Sequence, residues 1–217
     1  MDEKQEPIPE EVEEGTGSFL DEDDVPTLIT VATMVYRDAK WIRFFLERLD
    51  DAWTEVPYEI CVLINQPDRA IEGDLWAEVD ALNAEFGFQL ELLSSHGEED
   101  RMKRVYRGWN HLAKCCHTKY VCLVNNDMAF ADGWLDALWR VKQADPERIP
   151  TSVLAESGRY LPSLWPEFVV NCGYTPEEFD DKRFQQWLSQ YKEKRIPDLQ
   201  EQRSFMPVLI EKDLVKY

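Results

Sequence analysis

The chain has 217 residues and a formal net charge of −19, with 44% hydrophobic and 12% aromatic residues. This length and composition suffice for one large domain with a buried core, or for one domain with extensions. The acidic balance argues against nucleic-acid binding, because a phosphate backbone requires a basic surface. An anionic ligand would therefore need a metal ion or a local group of basic residues.

The charge is concentrated at the start of the chain. Residues 1–25 contain eleven acidic residues and one Lys, so they carry −10 and leave −9 for the remainder. Apolar residues are scarce among them, so the segment cannot offset the entropy cost of ordering. We expect 1–25 to be a disordered acidic tail and 26–217 to be the folded domain.

The cysteines indicate a reducing compartment. Their number, five, is odd and their spacing fits no disulfide framework, which predicts reduced thiols and a cytoplasmic protein. No apolar run approaches the ~18–20 residues of a membrane span, and no signal peptide is recognisable. A zinc site at His111, Cys115, Cys116 and His117 is disfavoured, because adjacent cysteines point to different faces of a helix and structural zinc usually takes spaced cysteine pairs.

Strand and helix patterns alternate four times over residues 25–143. The predicted strands are Val25–Val35, Tyr58–Ile64, Phe88–Leu93 and Lys119–Asn125. Each is followed by a helical pattern, over Ala39–Leu49, Ile71–Phe86, Glu99–Cys115 and Gly133–Gln143. Such alternation with short connections predicts an α/β fold with a mostly parallel sheet, and the alternating polarity of the third strand places it near an edge.

Helix starts are predicted from capping residues. Asp38 and Asp132 precede helical patterns as N-cap candidates. Thr175 and Pro176 predict the start of a last amphipathic helix, which would continue to about Lys194.

Three polar residues, Asn125, Asn126 and Asp127, lie at the carboxyl end of the fourth strand. In open α/β sheets ligands bind beyond the carboxyl ends of the strands. Mg²⁺ and Mn²⁺ prefer oxygen ligands, and Mg²⁺ often takes only one or two protein carboxylates together with phosphates and water. We interpret Asp127 as the ligand of a divalent ion that holds a nucleoside diphosphate. The alternative is an ordinary turn.

Three stretches carry a family resemblance: ITVATMVYRDAKWIRFFLERL, YRGWNHLAKCCHTKYVCLVNNDM and NNDMAFADGWLDAL. They resemble family 2-type glycosyltransferases with the GT-A fold, a Rossmann-like, mostly parallel sheet flanked by helices. The resemblance covers residues 27–145 well and 200–217 loosely. It implies a nucleotide-binding half over 26–145 and an acceptor-side half over 146–217, which is either truncated at Tyr217 or unusually short.

The resemblance also implies an activity. A hexosyl or deoxyhexosyl group would pass from a nucleoside diphosphate donor to a glycan, lipid or protein acceptor, with inversion and with Mn²⁺ or Mg²⁺ as cofactor. The last acid of the family's DxD-type motif binds the metal, which corresponds to Asp127, while Asn125 would contact the sugar or ribose. The other predicted donor-binding residues are Thr33, Val35, Tyr36, Arg37, Asn65, Arg104, Asn110 and Asn126.

One position departs from the family pattern, and one group of three basic residues leaves a choice. The Asp that contacts the base after the second strand is replaced by Ile64 or Asn65, although Asn65 could still bond a pyrimidine edge. Arg101, Arg104 and Arg107 lie along one predicted helix, where one of them would reach the diphosphate or all would form a solvated face.

The acceptor hydroxyl needs a carboxylate base. Glu156 follows a short predicted strand over Thr151–Glu156, and Asp180 and Asp181 lie near the start of the last helix. We predict Glu156 and Asp181 as catalytic candidates, against the alternative that each is a solvated carboxylate.

Two other functions remain open. A non-catalytic nucleotide-sugar-binding or scaffold domain is favoured by the missing base-binding Asp. A sugar-nucleotide nucleotidyltransferase shares the parallel sheet but needs a glycine-rich basic loop after the first strand, unlike Thr33–Arg37. Dinucleotide, P-loop and hydrolase motifs do not occur.

Overall fold

The computed structural model describes residues 28–36, 38–65, 69–93, 100–152, 169–193 and 206–215. One five-stranded sheet has the order β3-β2-β1-β4-β5. Its strands are β1 (Ile29–Val35), β2 (Tyr58–Ile64), β3 (Gln89–Leu92), β4 (Tyr120–Leu123) and β5 (Val208–Glu211). The predicted acidic tail, Arg37 and Glu156 lie outside the described residues.

The sheet is mostly parallel, as predicted. β1 pairs in parallel with both β2 and β4, and β2 pairs in parallel with β3, which forms one edge. β5 runs antiparallel to β4 and forms the other edge. The predicted edge position of the third strand is thus confirmed. β5 comes from the predicted acceptor-side half of the chain and belongs to the same sheet as the strands of the predicted nucleotide-binding half.

Helices cover both faces of the sheet. They are α1 (Lys40–Asp51), α2 (Arg69–Phe86), α3 (Arg101–Cys115), α4 (Trp134–Ala144) and α5 (Asp181–Glu193). On one face Phe45, Leu46 and Leu135 pack with strand residues such as Val31; on the other face Leu112 packs against Cys61. Burial on both faces explains the continuous apolar runs of β1 and β2. Among the described helices none is long and apolar enough to span a membrane.

The predicted N-cap at Asp38 is confirmed, and the one at Asp132 is wrong. Asp38 Oδ1 accepts a hydrogen bond from Lys40 N at 2.9 Å, and Ala39 between them already has helical backbone angles, so Asp38 caps the start of α1. α4 begins after Gly133, whose φ of 73° is left-handed. Asp132 Oδ1 accepts from Trp53 N at 3.0 Å, so this carboxylate holds a neighbouring loop instead of the helix end.

The last predicted helix is divided into two. A 3₁₀ helix covers Pro176–Glu178, and α5 begins only at Asp181. The start of α5 is held by Asp180, whose Oδ1 accepts from Arg183 N at 2.9 Å. Thr175 and Pro176 therefore start the short 3₁₀ helix, and Asp180 supplies the side-chain cap of α5.

Candidate functional site

The candidate site lies where β1 and β4 end. β2 and then β3 lie on one side of β1, and β4 lies on the other side of β1. The connections after β1 and β4 therefore leave the sheet in opposite directions, and open α/β sheets bind ligands in the crevice at such a switch point. Tyr36 directly follows β1, and Asn125–Asp127 follow β4.

The end of β4 presents the polar triplet to solvent. Val124 N donates to Ala32 O at 3.0 Å, so backbone pairing with β1 continues up to the residue before Asn125. Asn126 and Asp127 then form a turn, in which Asn125 and Asp127 are exposed and Asn126 is half-buried. The strand thus ends at the first residue of the predicted ligand-binding triplet.

The carboxyl group of Asp127 has a perturbed acidity. Desolvation by surrounding protein atoms raises the pKa of Asp127, and a hydrogen bond from its own backbone amide partly opposes that rise. The residue as a whole is exposed, so a ligand can reach the carboxylate. A bound cation would favour the ionised form and reverse the rise.

Asn65 fastens the end of β2 to α3. Its backbone N donates to Val35 O at 3.0 Å, and its side-chain Nδ2 donates to Arg104 O at 3.1 Å. The residue is only 5% exposed. A Cβ on Gly108 would lie 2.7 Å from Asn65 Nδ2, so this glycine makes the close approach possible. Sequence reasoning overlooked Gly108, although a glycine within a helical pattern signals such an approach.

Arg104 and Tyr36, two predicted donor-binding residues, lie together. The guanidinium carbon of Arg104 is 5.9 Å from the centroid of the Tyr36 ring, within the range of a cation–π contact. Arg104 is half-buried and Tyr36 is 38% exposed. A positive charge and an aromatic face are therefore available at the same edge as Asn65.

The remaining predicted donor contacts are placed differently. Thr33 and Val35 are fully buried in β1, and Val35 belongs to the hydrophobic core. Thr33 Oγ1 has no hydrogen-bond partner within the described part of the chain. Asn110 is exposed on α3. Burial gives Thr33 and Val35 a structural role, and donor contacts by these three side chains stay predictions.

The candidate bases are not assembled into a described site. Asp181 is the first residue of α5, and its Oδ1 lies 3.3 Å from Arg48 Nη1 of α1 in an exposed ion pair. Asp180 is engaged as the cap of α5. With Glu156 outside the described residues, the role of a catalytic base stays a prediction for both Glu156 and Asp181.

Among the residues that the structure describes, Asp127 belongs to no group of three or more potential metal ligands. Two groups of three or more His, Cys, Asp or Glu ligand atoms occur in the described ranges; both contain Cys115 and neither includes Asp127. Phosphate oxygens, water and amide groups could complete the coordination of a divalent ion at Asp127. That ligand set suits Mg²⁺ and Mn²⁺.

A shallow depression of about 560 Å³ lies at the opposite edge of the sheet. Leu28 and Pro57, which precede β1 and β2, form part of its wall together with Trp53 and Trp139. Since it opens at the amino ends of the strands, it is separate from the candidate site.

Comparison with known proteins gives limited likenesses. No protein-family model and no curated protein matches the chain. TarS 1–349 of S. aureus, in complex with UDP-GlcNAc, is similar with a TM-score of 0.45 and 16% identity, over 63% of this chain and 37% of that chain. The mannosyltransferase PcManGT of Pyrobaculum calidifontis, in complex with GDP-Man and Mn²⁺, is similar with a TM-score of 0.41 and 14% identity, over 58% of this chain and 35% of that one.

The chain spans 37% and 35% of the length of these two structures. At such low identity, the likeness is limited to the backbone path of part of each molecule.

Proposed function

We propose that the chain is a metal-dependent glycosyltransferase of the GT-A type, which moves a hexosyl or deoxyhexosyl group from a nucleoside diphosphate to an acceptor hydroxyl. One observation carries the proposal: Tyr36, Asn65 and Asn125–Asp127 follow the carboxyl ends of three neighbouring strands, around a topological switch point. The sequence resemblance names these same residues.

Asp127 would hold Mn²⁺ or Mg²⁺ at this edge. When bound, the ion supplies Lewis-acid stabilisation of the leaving diphosphate. Arg104 would place a fixed positive charge beside the diphosphate, in a protein whose overall acidity otherwise repels it. Tyr36 would offer its exposed ring to the donor, and Asn125 an amide to the sugar or ribose.

Transfer would proceed with inversion. The acceptor oxygen forms a bond to the anomeric carbon while the bond from that carbon to the diphosphate oxygen breaks, and the acceptor proton passes to a carboxylate base. Glu156 and Asp181 are the candidates for this base. The acceptor would be a glycan, lipid or protein hydroxyl.

Calorimetric titration of the full chain with UDP and GDP tests the donor site. With Mn²⁺ present, Asp127→Ala should weaken binding at least about tenfold, which corresponds to about 1.4 kcal/mol. Asp80→Ala removes an exposed carboxylate from α2 and should leave the affinity unchanged. Metal-dependent binding by Asp127→Ala as tight as that of the parent would overturn the proposal.

A non-catalytic nucleotide-sugar-binding domain is the second candidate. It is favoured because Asp180 caps α5 and Asp181 pairs with Arg48, so both acids have structural partners. Slow hydrolysis of UDP-sugars or GDP-sugars with Mn²⁺ would support the enzyme, since transferases commonly also transfer to water. Nucleotide binding without hydrolysis or transfer would support the binding domain. Release of pyrophosphate from a nucleoside triphosphate and a sugar phosphate would indicate a nucleotidyltransferase instead.

A further inference from the structure

Three cysteines from two elements meet beneath α3. The Sγ atoms of Cys61 in β2, Cys115 at the end of α3 and Cys116 all lie within 4.8 Å of one another. Cys61 and Cys116 are buried and Cys115 is partly exposed. This thiol cluster lies on the sheet face covered by α3, at the end of that helix remote from the Asn65–Arg104 contact.

The end of α3 brings the adjacent cysteines together. Cys115 is the last helical residue, and Cys116 is the C-cap with φ −58° and ψ 139°. Successive residues of a helix point in different directions, and Cys116 keeps a helical φ. The Sγ atoms of Cys115 and Cys116 nevertheless lie within 4.8 Å of each other and of Cys61 Sγ, so adjacent positions do not prevent the two cysteines from sharing one ligand.

A histidine adjoins the thiol cluster. His111 lies one turn before Cys115, and a ring nitrogen of His111, a carboxylate oxygen of Glu91 and Cys115 Sγ lie within 4.8 Å of one another. His111 Nε2 is a buried atom without a hydrogen-bond partner among the residues that the structure describes, and Glu91 Oε2 is 3.8 Å away. Metal-bound histidines commonly have such a carboxylate beside them.

We propose that Cys61, Cys115, Cys116 and His111 bind one Zn²⁺ ion, with Glu91 orienting the imidazole. Three cysteines and one histidine are a common ligand set of tetrahedral structural zinc. The partly exposed Cys115 and His111 give the ion a path to the two buried thiols. Because cysteine binds metals as the thiolate, zinc binding would release thiol protons of the cluster to solvent.

A zinc ion at this site would link α3 to β2 and so stabilise the packing of the helix on the strand. It differs from the proposed Asp127 site in its ligands, since sulfur and imidazole suit Zn²⁺ whereas Mg²⁺ and Mn²⁺ prefer oxygen. The two sites are independent: zinc binding does not require sugar transfer, and Asp127→Ala should bind zinc as the parent does.

Metal titration of the reduced, chelator-treated full chain tests the proposal. Zn²⁺ competing with a chromophoric chelator should bind at one ion per chain, and Co²⁺ should give the intense charge-transfer absorption of thiolate ligands. Cys61→Ser and Cys115→Ser should each lower the zinc affinity at least tenfold, and His111→Ala should lower it in the same direction. Cys122→Ser is the matched control, because Cys122 is fully buried in β4 on the other face of the sheet.

The outcomes separate zinc binding from thiol oxidation. Stoichiometric binding that is lost in Cys115→Ser and kept in Cys122→Ser would support the site. Three results would overturn it: no thiolate–cobalt absorption in the parent chain, equal zinc affinity in the Cys115→Ser and Cys122→Ser variants, or a disulfide between two cluster cysteines, seen as a mass lower by two hydrogen atoms, in place of metal. Because the cobalt spectrum is measured on the parent chain, a variant that fails to fold leaves the test intact.

Discussion

Asn65 donates its side-chain Nδ2–H to the backbone carbonyl of Arg104 at 3.1 Å, which ties the end of β2 to the first turns of α3. The Arg104 guanidinium in turn lies 5.9 Å from the ring of Tyr36, which follows β1. Residues from three separate stretches of sequence thereby form one connected group. A change to the contact between β2 and α3 should therefore also affect Arg104 and Tyr36, which lie where we propose that the donor binds.

Gly108→Ala should disturb this contact. An added Cβ would lie 2.7 Å from Asn65 Nδ2 and 3.0 Å from Met34 Sδ. Alanine favours a helix over glycine by about 0.5–1 kcal/mol, but overpacking a core typically costs about 1–3 kcal/mol. We expect a net loss of about 1 kcal/mol in the free energy of unfolding, measured by urea denaturation, together with weaker binding of nucleoside diphosphate.

A double-mutant cycle supplies the control for Gly108→Ala. In the Asn65→Ala background the amide that obstructs the new methyl group is gone, so Gly108→Ala should cost less there than in the parent chain. If Gly108→Ala lowered the free energy of unfolding equally in the two backgrounds, the close approach to Asn65 would not be the reason for the loss.

The four parallel strands could be predicted from the sequence, because burial on both faces demands largely apolar runs, whereas the antiparallel strand β5 was not predicted. Tyr58–Ile64 is such a run and is β2 with those same bounds. Helix starts were harder to predict, because an acid before a helical pattern can bond elsewhere. Asp132 accepts from Trp53 N, a partner 79 positions away in sequence, which no local capping rule anticipates.

The candidate site was predicted only in outline. Strand ends can be located from apolar runs, so the positions of Asn65 and Asn125–Asp127 at the carboxyl edge could be predicted. The burial of Asn65 and its bond to Arg104 depend on how α3 packs, which Gly108 permits. The approach of Cys61 to Cys115 likewise spans two elements and depends on how α3 packs against β2.

Metal binding at Asp127 should weaken in acid. Desolvation raises the pKa of Asp127 above its ordinary value of 3.8, so protons compete with the cation at a higher pH than for a solvated Asp. We expect the Mn²⁺ affinity, measured by calorimetry in the presence of UDP or GDP, to fall as the pH decreases through this raised pKa. The affinity of Asp127→Asn should lack this pH dependence, and an unchanged acid dependence in that variant would assign it to another group.

Asp127→Asn should also stabilise the metal-free chain at neutral pH. A raised native pKa means that the native state binds the proton more tightly than the unfolded state. The protonated carboxyl group therefore contributes its full stabilisation below pH 3.8, the ordinary pKa of Asp. This contribution is lost as the pH rises through the raised pKa of the native state. Thermal unfolding without metal should give Asp127→Asn the higher Tm at pH 7, and the difference should diminish in acid. With Mn²⁺ and nucleotide, only the parent should gain stability. A lower Tm for metal-free Asp127→Asn at pH 7 would contradict this explanation.

Lys142→Met should destabilise the fold. Lys142 is 1% exposed, and its Nζ donates to Pro146 O at 2.6 Å and to Arg148 O at 2.8 Å. Methionine keeps the apolar stem but leaves both carbonyls without this donor, which should cost about 2 kcal/mol or more. Urea denaturation measures the loss. Arg140→Met, at an exposed position of the same helix, is the control and should change stability by less than about 0.5 kcal/mol. Equal effects would mean that the ammonium group of Lys142 contributes nothing specific.

Arg104→Gln should weaken the binding of nucleoside diphosphate whether or not metal is present. Glutamine keeps the backbone carbonyl that Asn65 uses but removes the guanidinium beside Tyr36. A direct charge contact to phosphate does not depend on the ion, so the loss of affinity in Arg104→Gln should appear even without Mn²⁺. The loss of affinity in Asp127→Ala should appear only when Mn²⁺ is present.

Arg140→Gln removes an equal charge at the opposite, amino edge of the sheet and controls for the change in net charge. Calorimetric titration at two salt concentrations completes the test, because a lost phosphate contact reduces the salt dependence of binding. If Arg104→Gln and Arg140→Gln bound UDP and GDP equally well, Arg104 would be a residue of the fold and not of the donor site.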